Sequence, residues 1–250
     1  MSFTLSKTAL GIALALGSGV AFAANNATIE QHGNWNDSSV EQGDSQNATA
    51  TVESWGDANV NHVLQTFVSN TTATIDTNMG SYNRNRITQY LVDDSSATIN
   101  QSFMAKDNEA TIDQHGVMLG FFPIVSRNLT ATISQSGAYW GRWGNNDADI
   151  TQTGNNADAS ISQTGSLNKA DITQTALNFG SGMTKAEITQ VGLNNDATVN
   201  QFGGRVSATV KQYGTGNSAD VTQTNLFGLN QLNATVKQYG NYNTATIKQY

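Results

Sequence analysis

The chain has 250 residues, a net charge of −7, one proline and no cysteine, and only 12% of its residues are charged. That charged share is about half of the usual value for a globular domain. A negative chain without a basic stripe excludes nucleic acid as a partner. Without cysteine, a disulfide framework, a thiolate metal site and a cysteine nucleophile are excluded. Low charge, little proline and many Asn and Gln residues are typical of strands that stack their side-chain amides.

The first segment predicts a secretory signal peptide over residues 1–23. Lys7 precedes the apolar run of residues 9–16, and Ala21-Phe22-Ala23 offers a small-x-small cleavage site. The apolar run is too short to span a bilayer. We therefore expect a secreted chain of residues 24–250 with no integral membrane segment after cleavage.

From residue 27 onward the chain repeats the motif Ala-x-Ile/Val-x-Gln. Eighteen units align, with Ile or Val in all of them, Gln in 16 and Ala in 15. Ser54 and Thr77 replace Gln, and Ser38, Asn61 and Asn85 replace Ala. Because these departures concentrate in units 3 to 6, we expect that stretch to be the weak point of the stack.

The period-two pattern within each unit predicts strands whose Ala, Ile/Val and Gln residues face inward, since all the charge lies on the other face. Units this short bury an apolar face only by stacking on their own copies. Units spaced commonly by 11 residues predict an all-β fold, a β-solenoid or cross-β stack of strand-turn-strand coils. Each coil would hold about 22 residues, in two facing parallel sheets.

We expect the inward amides to bond from coil to coil at a spacing of about 4.8 Å, beside an apolar Ile/Val row. The predicted amyloid-core ladder contains Gln31, Ile29, Gln135, Ile133, Gln152, Ile150, Gln163, Ile161, Gln174, Ile172, Gln190, Ile188, Gln201, Val199, Gln212, Val210, Gln223, Val221, Gln238, Val236, Gln249 and Ile247.

Turns are predicted where Gly lies two residues after Gln and Asn three residues later. Gly permits positive φ, and Asn bonds the local backbone. The predicted turn residues are Gly165, Asn168, Gly192, Asn195, Gly214, Asn217, Gly240 and Asn243.

Four connections are longer and form insertions near residues 115–130, 136–147, 175–185 and 224–233. Three of them follow even-numbered units, so we expect those three on one edge of the solenoid. The largest holds the apolar run 118–125. This run is interpreted as a docking patch or as a loop folded over its own coil, and the second interpretation is favoured.

No motif for catalysis, a cofactor or a metal is present, so we predict that the protein is not an enzyme. His32, His62 and His115 have no metal-ligand spacing, and there is no nucleophile elbow, phosphate-binding loop or calcium repeat. The segment Tyr139-Trp140-x-x-Trp143 is the best candidate for a surface contact, with packing in a turn as the favoured alternative.

Charges on the outer face are expected to stack in like-charged pairs. Asp149 and Asp171 would lie on adjacent coils of one sheet, and Lys211 and Lys237 on adjacent coils of the other. Such pairs are unfavourable. They are interpreted as gatekeepers against lateral aggregation, with a weak cation site at the Asp pair as the alternative.

The motif Gln-x-Gly-x-x-Asn-x-Ala-x-Ile/Val-x-Gln resembles the curlin repeat of bacterial curli subunits. It is intact at residues 163–174, 190–201, 212–223 and 238–249, and residues 245–250 resemble a curlin C-terminus. The resemblance implies an extracellular amyloid fibre of the biofilm matrix at the bacterial cell surface. It also implies partners: further copies of the chain, related curli-like subunits, an outer-membrane export pore and a nucleator.

Two features differ from typical curlin subunits. The repeats begin at Ala27, where curlin subunits carry a Gly/Asn-rich leader, and the chain is longer and has irregular insertions. The export route and the choice between major and minor subunit therefore stay open.

The predicted function is a self-assembling structural subunit that grows by templating at open edge strands, because neither end of the repeat array shows a polar cap. The alternative is a monomeric secreted β-solenoid binding module of the adhesin or ice-binding type. Outward Asp171, Lys211 and Lys237 interrupt the regular threonine array that an ice-binding face requires.

Overall fold

The computed structural model describes residues 25–102, 105–119, 122–137, 144–176, 182–226 and 230–250, and every regular element within them is a β-strand. The predicted signal peptide and the Tyr139-Trp140-x-x-Trp143 segment lie outside the described residues. No helix long and apolar enough to cross a membrane is found in the described ranges.

The strands follow the repeat units closely. The first ten are β1 (Asn26–His32), β2 (Asp37–Gly43), β3 (Thr49–Asp57), β4 (Val60–Thr66), β5 (Thr72–Ser81), β6 (Arg84–Tyr90), β7 (Val92–Asp93), β8 (Ser96–Ser102), β9 (Glu109–His115) and β10 (Val117–Leu119). The others are β11 (Phe122–Ile124), β12 (Ser126–Ser136), β13 (Asp147–Ser166), β14 (Lys169–Ala176), β15 (Thr184–Leu193), β16 (Asp196–Gly203), β17 (Val206–Thr215), β18 (Ser218–Asn225), β19 (Leu232–Asn241) and β20 (Thr244–Gln249).

Two parallel sheets are formed by alternate units. Sheet A stacks β1, β3, β5, β8, β12, residues 157–166 of β13, β15, β17 and β19. Sheet B stacks β2, β4, β6, β9, residues 147–154 of β13, β14, β16, β18 and β20. One strand of each sheet makes one coil. The predicted all-β solenoid with two facing parallel sheets is confirmed.

Successive coils are in register, with Ala on Ala, Ile or Val on its equivalent and Gln on Gln along most of the column. Stacked glutamines are 22 residues apart in compact coils such as Gln152–Gln174. The first coils of sheet B use 23 and 24 residues, and the coil that contains β10 and β11 uses 38. Most additional residues therefore enter between strands, and the register of the inward positions is kept. One extra residue is absorbed within a strand pair, where the β3–β5 register shifts between Ser54 and Gly56.

The interior is a narrow seam of buried side chains between the two sheets. The inward Ala and Ile/Val residues are almost completely buried between the sheets from β3 and β4 to β19. Fully burying one Ile or Val side chain contributes about 1.5–3 kcal/mol. At the outermost coils Ile29, Val40 and Ile247 are only partly buried, because no described residue packs on their outer side.

The longer connections follow strands of both sheets. Residues 116–125, 177–183 and 226–231 link a strand of sheet B to one of sheet A, and residues 137–146 make the opposite link. The 118–125 run overlaps an antiparallel hairpin of β10 and β11. Val117 and Ile124, at the open end of that hairpin, are 41% and 48% exposed.

Candidate functional site

The most extensive polar feature is a chain of nine glutamines through sheet B. Each Nε2 donates to the Oε1 of the glutamine one coil nearer the C-terminus, with N–O distances of 2.7–2.9 Å. The chain consists of Gln42, Gln65, Gln89, Gln114, Gln152, Gln174, Gln201, Gln223 and Gln249. It runs without a break from the first coil to the last.

Eight of the nine amides in this chain, all except Gln223, also tie the two sheets together. Gln174 Nε2 donates a second hydrogen bond to the carbonyl of Asp158 at 3.1 Å, and Gln201 Nε2 does the same to Lys185 at 2.8 Å. Both acceptors belong to sheet A. A buried amide is tolerated only when its polar atoms are bonded, so the two donors explain why Gln can occupy the interior.

Sheet A contains a shorter chain of six glutamines. Gln101, Gln135, Gln163, Gln190, Gln212 and Gln238 bond in sequence at 2.8–2.9 Å. Five glutamines outside the proposed ladder set therefore contribute to the two chains: Gln42, Gln65, Gln89, Gln101 and Gln114. Their place in the repeat alignment was the signal that could have included them.

Gln31 does not join either chain, so its assignment to the ladder is corrected. It stacks on Ser54, whose side chain is too short to accept from it, and Nε2 donates to Ser38 Oγ in the facing sheet at 2.6 Å. The Gln–Gln contacts of sheet A therefore begin only at Gln101.

The degenerate coils are partly compensated by reciprocal substitutions. Where Thr77 replaces Gln in sheet A, Asn85 replaces the facing Ala in sheet B, and Asn85 Nδ2 donates to Thr77 Oγ1 at 3.1 Å and to Gln101 Oε1 at 2.9 Å. Asn61 accepts from Asn85 at 2.9 Å. Ser54 Oγ and Asn85 Oδ1, however, are buried without a hydrogen-bond partner among the described residues. These two atoms are unsatisfied polar groups within the degenerate coils.

Asparagines build a third ladder along the edge where sheet A passes to sheet B. The Oδ1 of each accepts the backbone N–H of the next, as from Asn195 to Asn168 at 3.2 Å and from Asn217 to Asn195 at 3.1 Å. The full row is Asn36, Asn59, Asn83, Asn108, Asn146, Asn168, Asn195, Asn217 and Asn243.

Glycines stack beside the asparagine row because a side chain has no room there. Gly165, Gly192, Gly214 and Gly240 all have positive φ. A Cβ on Gly192 would meet the Gly214 carbonyl oxygen at 1.9 Å. The opposite edge instead carries a row of buried apolar residues: Ala48, Val68, Val92, Leu129, Ala157 and Ala176.

The ladders have a direction. Gln side chains donate toward the C-terminal coil, so Gln42 Oε1 in the first coil accepts no hydrogen bond from described residues. In the last coil Gln238 and Gln249 each use Nε2 for one bond, to Ser218 O and Asn233 O, and keep a second N–H available. The two end coils thus present complementary donors and acceptors.

Carboxylates cluster on the outer face of sheet B. The register pairs Asp149 with Asp171 and Asp147 with Lys169, so the expected adjacency of the two aspartates is confirmed. Partial burial raises the pKa of Asp149, and the charges of Asp147 and Asp171 raise it further. Lys211 and Lys237 are paired likewise in sheet A.

The histidines make pairwise polar contacts. His32 lies 2.7 Å from Glu30, His62 2.7 Å from Ser39 Oγ and His115 2.8 Å from Thr153 Oγ1. In the described part of the chain no group of three or more His, Asp or Glu residues is placed to hold a metal ion.

The repeat architecture is that of a stacked β-repeat protein. Comparison with protein families shows which repeat is present. The model of the curlin associated repeat matches residues 145–175 and 192–224, so these two segments contain curlin repeats and the resemblance of the motif is confirmed. Both matches fall where the Gln, Asn and Gly ladders are all regular. No curated protein matches the chain significantly.

Proposed function

We propose that the chain is a structural subunit of an extracellular, curli-like amyloid fibre at a bacterial surface, where it contributes to the biofilm matrix and to cell adhesion. Secretion through the predicted signal peptide, with passage through an outer-membrane pore and initiation by a related nucleator, belongs to the same proposal. The curlin repeats support this role, since the repeat family is structural.

The observation that carries the proposal is the unbroken glutamine chain of sheet B, which ends with free bonding capacity in both terminal coils. Gln249 keeps a donor and Gln42 keeps an acceptor. Ile247 and Val40 lie beside them and are only partly buried. A second copy placed on either end would therefore continue both the polar and the apolar rows.

The backbone of the last coil is also ready to bind another strand. The N–H groups of outward-facing residues point toward the C-terminal end, as Asp196 N–H does to Asn217 O and Ser218 N–H to Asn243 O, both at 2.8 Å. The equivalent residues of β20, including Thr246, have no strand beyond them among the described residues. An exposed row of N–H and C=O groups is a template for strand addition.

Fibre formation is tested with the purified chain lacking residues 1–23. We expect insoluble fibres that bind thioflavin, seed fresh protein and give fibre-diffraction reflections at about 4.7–4.8 Å and about 10 Å. A chain that stays monomeric for days at high concentration would refute the proposal and support the binding module instead.

Thr246→Pro tests growth by strand addition, because it removes a backbone N–H that points toward the open C-terminal end of the column and makes no bond within the chain. Added to the wild-type chain at about one part in ten, it should stop elongation by occupying ends that cannot be extended. Thr246→Val retains the N–H and is the matched control, with wild-type elongation expected. Equal elongation with both variants would show that β20 is not a growing edge.

A further inference from the structure

The first and last coils present the same repeat positions to solvent. Ala27, Ile29 and Gln31 of β1 stand at the positions that Ala234, Val236 and Gln238 occupy in β19. In the second sheet, Ser38, Val40 and Gln42 of β2 correspond to Ala245, Ile247 and Gln249 of β20. A second copy can therefore stack on the last coil in the register already used between coils.

The charges at the two ends are opposite at equivalent positions. The outward residue just before Gln is Lys237 in β19 and Lys248 in β20, whereas it is Glu30 in β1 and Glu41 in β2. All four side chains are exposed. No described residue makes an ion pair with Lys237 or Lys248.

In sheet A, the terminal charged residue at each end is followed by a residue of the same charge in the next coil. Lys237 stacks on Lys211, while Glu30 stacks on Glu53 and Glu53 on Asp76. Partial burial raises the pKa of Asp76, and the charge of Glu53 raises it further. Lys211 is paired with Glu187 at 3.4 Å, and Glu30 contacts His32 at 2.7 Å. Like charges are therefore adjacent at each end of this sheet, and Lys237 is the terminal lysine that makes no ion pair with a described residue.

Aromatic residues also occupy equivalent positions at the two ends of sheet A. In the position just after Gln, Tyr213 and Tyr239 stack with ring centroids 5.3 Å apart and planes 5° apart. At the other end His32 and Trp55 stack at 3.9 Å and 24°. Tyr239 is 67% exposed, so a copy docked through β1 would place His32 directly over it.

Opposite charges already stack between coils inside the column. Asp158 and Lys185 are register partners with their charged atoms 3.9 Å apart, and Arg84 and Glu109 are partners at 3.8 Å. A junction of Lys237 with Glu30 and of Lys248 with Glu41 would repeat this arrangement in both sheets.

We infer that copies of this chain join head to tail, the C-terminal coil of one on the N-terminal coil of the next, and that two Lys–Glu pairs and a four-ring aromatic stack set this direction. Head-to-head contact would oppose Glu to Glu, and tail-to-tail contact would oppose Lys to Lys. The inference rests on the proposed function, because it specifies how fibre subunits meet.

Charge reversal at one end tests the junction. Lys237→Glu/Lys248→Glu places Glu against Glu at every junction, and Glu30→Lys/Glu41→Lys places Lys against Lys. We expect each double variant to elongate its own seeds about tenfold more slowly than wild type at low salt. The deficit should shrink as salt screens the charges.

An equal mixture of the two double variants provides the control for folding, because alternating copies restore opposite charges at every junction. We expect the mixture to elongate at nearly the wild-type rate. The chain with all four substitutions should elongate its own seeds at nearly the wild-type rate and wild-type seeds about tenfold more slowly.

The outcomes separate this inference from the proposed function. Wild-type protein that forms no fibres refutes the function. Wild-type fibres together with double variants that elongate at the wild-type rate refute the charge-directed junction alone. Slow double variants whose mixture remains slow also refute it, since the defect then does not depend on complementarity.

Discussion

The N-terminal and C-terminal coils of sheet A solve the same packing problem differently. In β15, β17 and β19 the inward amides of Gln190, Gln212 and Gln238 bond directly from coil to coil at 2.9 Å. In β3 and β5 the same position holds Ser54 and Thr77. Thr77 accepts a hydrogen bond from Asn85 of the facing sheet, and Asn85 also donates to Asn61 within sheet B.

The difference shows that a coil tolerates the loss of its glutamine when a larger residue occupies the facing position in the other sheet. On one side of the seam, Ser and Thr have shorter side chains than Gln. On the other side, Asn61 and Asn85 have longer side chains than the usual Ala. The exchange retains burial, since all four residues are at most 1% exposed. It does not retain every hydrogen bond, because Ser54 Oγ and Asn85 Oδ1 have no partner in the described residues.

The largest expected difference between the regions concerns the inward polar residue itself. Gln212→Leu leaves one N–H of Gln190 Nε2 and the Oε1 of Gln238 without a partner, which should lower the free energy of unfolding by about 3 kcal/mol. Thr77→Val removes only the contact with Asn85 and should lower it by about 1 kcal/mol. Guanidinium denaturation of the two variants measures this contrast. Equal losses would show that the glutamine chain adds nothing beyond burial.

Glycine substitutions in the two regions are also expected to differ in their effect on stability. Gly192→Ala requires positive φ and forces Cβ against the Gly214 carbonyl oxygen, so a loss of about 2 kcal/mol is expected. Gly43→Ala in the N-terminal region would place Cβ 3.7 Å from the Thr66 methyl, an ordinary contact. That change should be neutral or stabilise by about 0.5 kcal/mol. Thermal denaturation of the two variants should rank them in this order.

Restoring the consensus in the N-terminal region tests the reciprocal exchange. Ser54→Gln alone should overpack the seam against Asn61 and destabilise by about 1 kcal/mol. Ser54→Gln with Asn61→Ala should stabilise by about 1 kcal/mol, because the unpartnered hydroxyl is replaced by a bonded amide. A double-mutant cycle measures the coupling. Additive effects would contradict an exchange between the two positions.

The smallest expected effect is a pH dependence from the carboxylates of sheet B. Burial and then the neighbouring charges of Asp147 and Asp171 raise the pKa of Asp149 in the folded chain. A raised carboxyl pKa means that the folded state binds more protons, so stability increases as pH falls from 7 toward the ordinary value of 3.8. Asp149→Asn should flatten this rise in the denaturant midpoint. An unchanged slope would assign the dependence to other groups.

Most of the architecture could be predicted from the repeat. Period-two alternation determines which residues face inward, and eighteen nearly identical units leave stacking on one another as the way to bury a face this narrow. The turn residues Gly192 and Asn195 were identifiable for the same local reason, since positive φ and backbone capping are properties of the residue types. Insertions do not disturb this logic, because they lie between strands.

Only the tertiary structure decided how the polar seam is connected. It set the common direction of the glutamine donors, the second bond that most of the amides make to the opposite sheet, as Gln174 does, and the bond of Gln31 to Ser38 in place of a ladder contact. It also matched Asn85 with Thr77. These features depend on distances between residues of different coils and different sheets. A one-dimensional pattern records which side chains face inward, whereas the packed seam determines which neighbour each donor can reach.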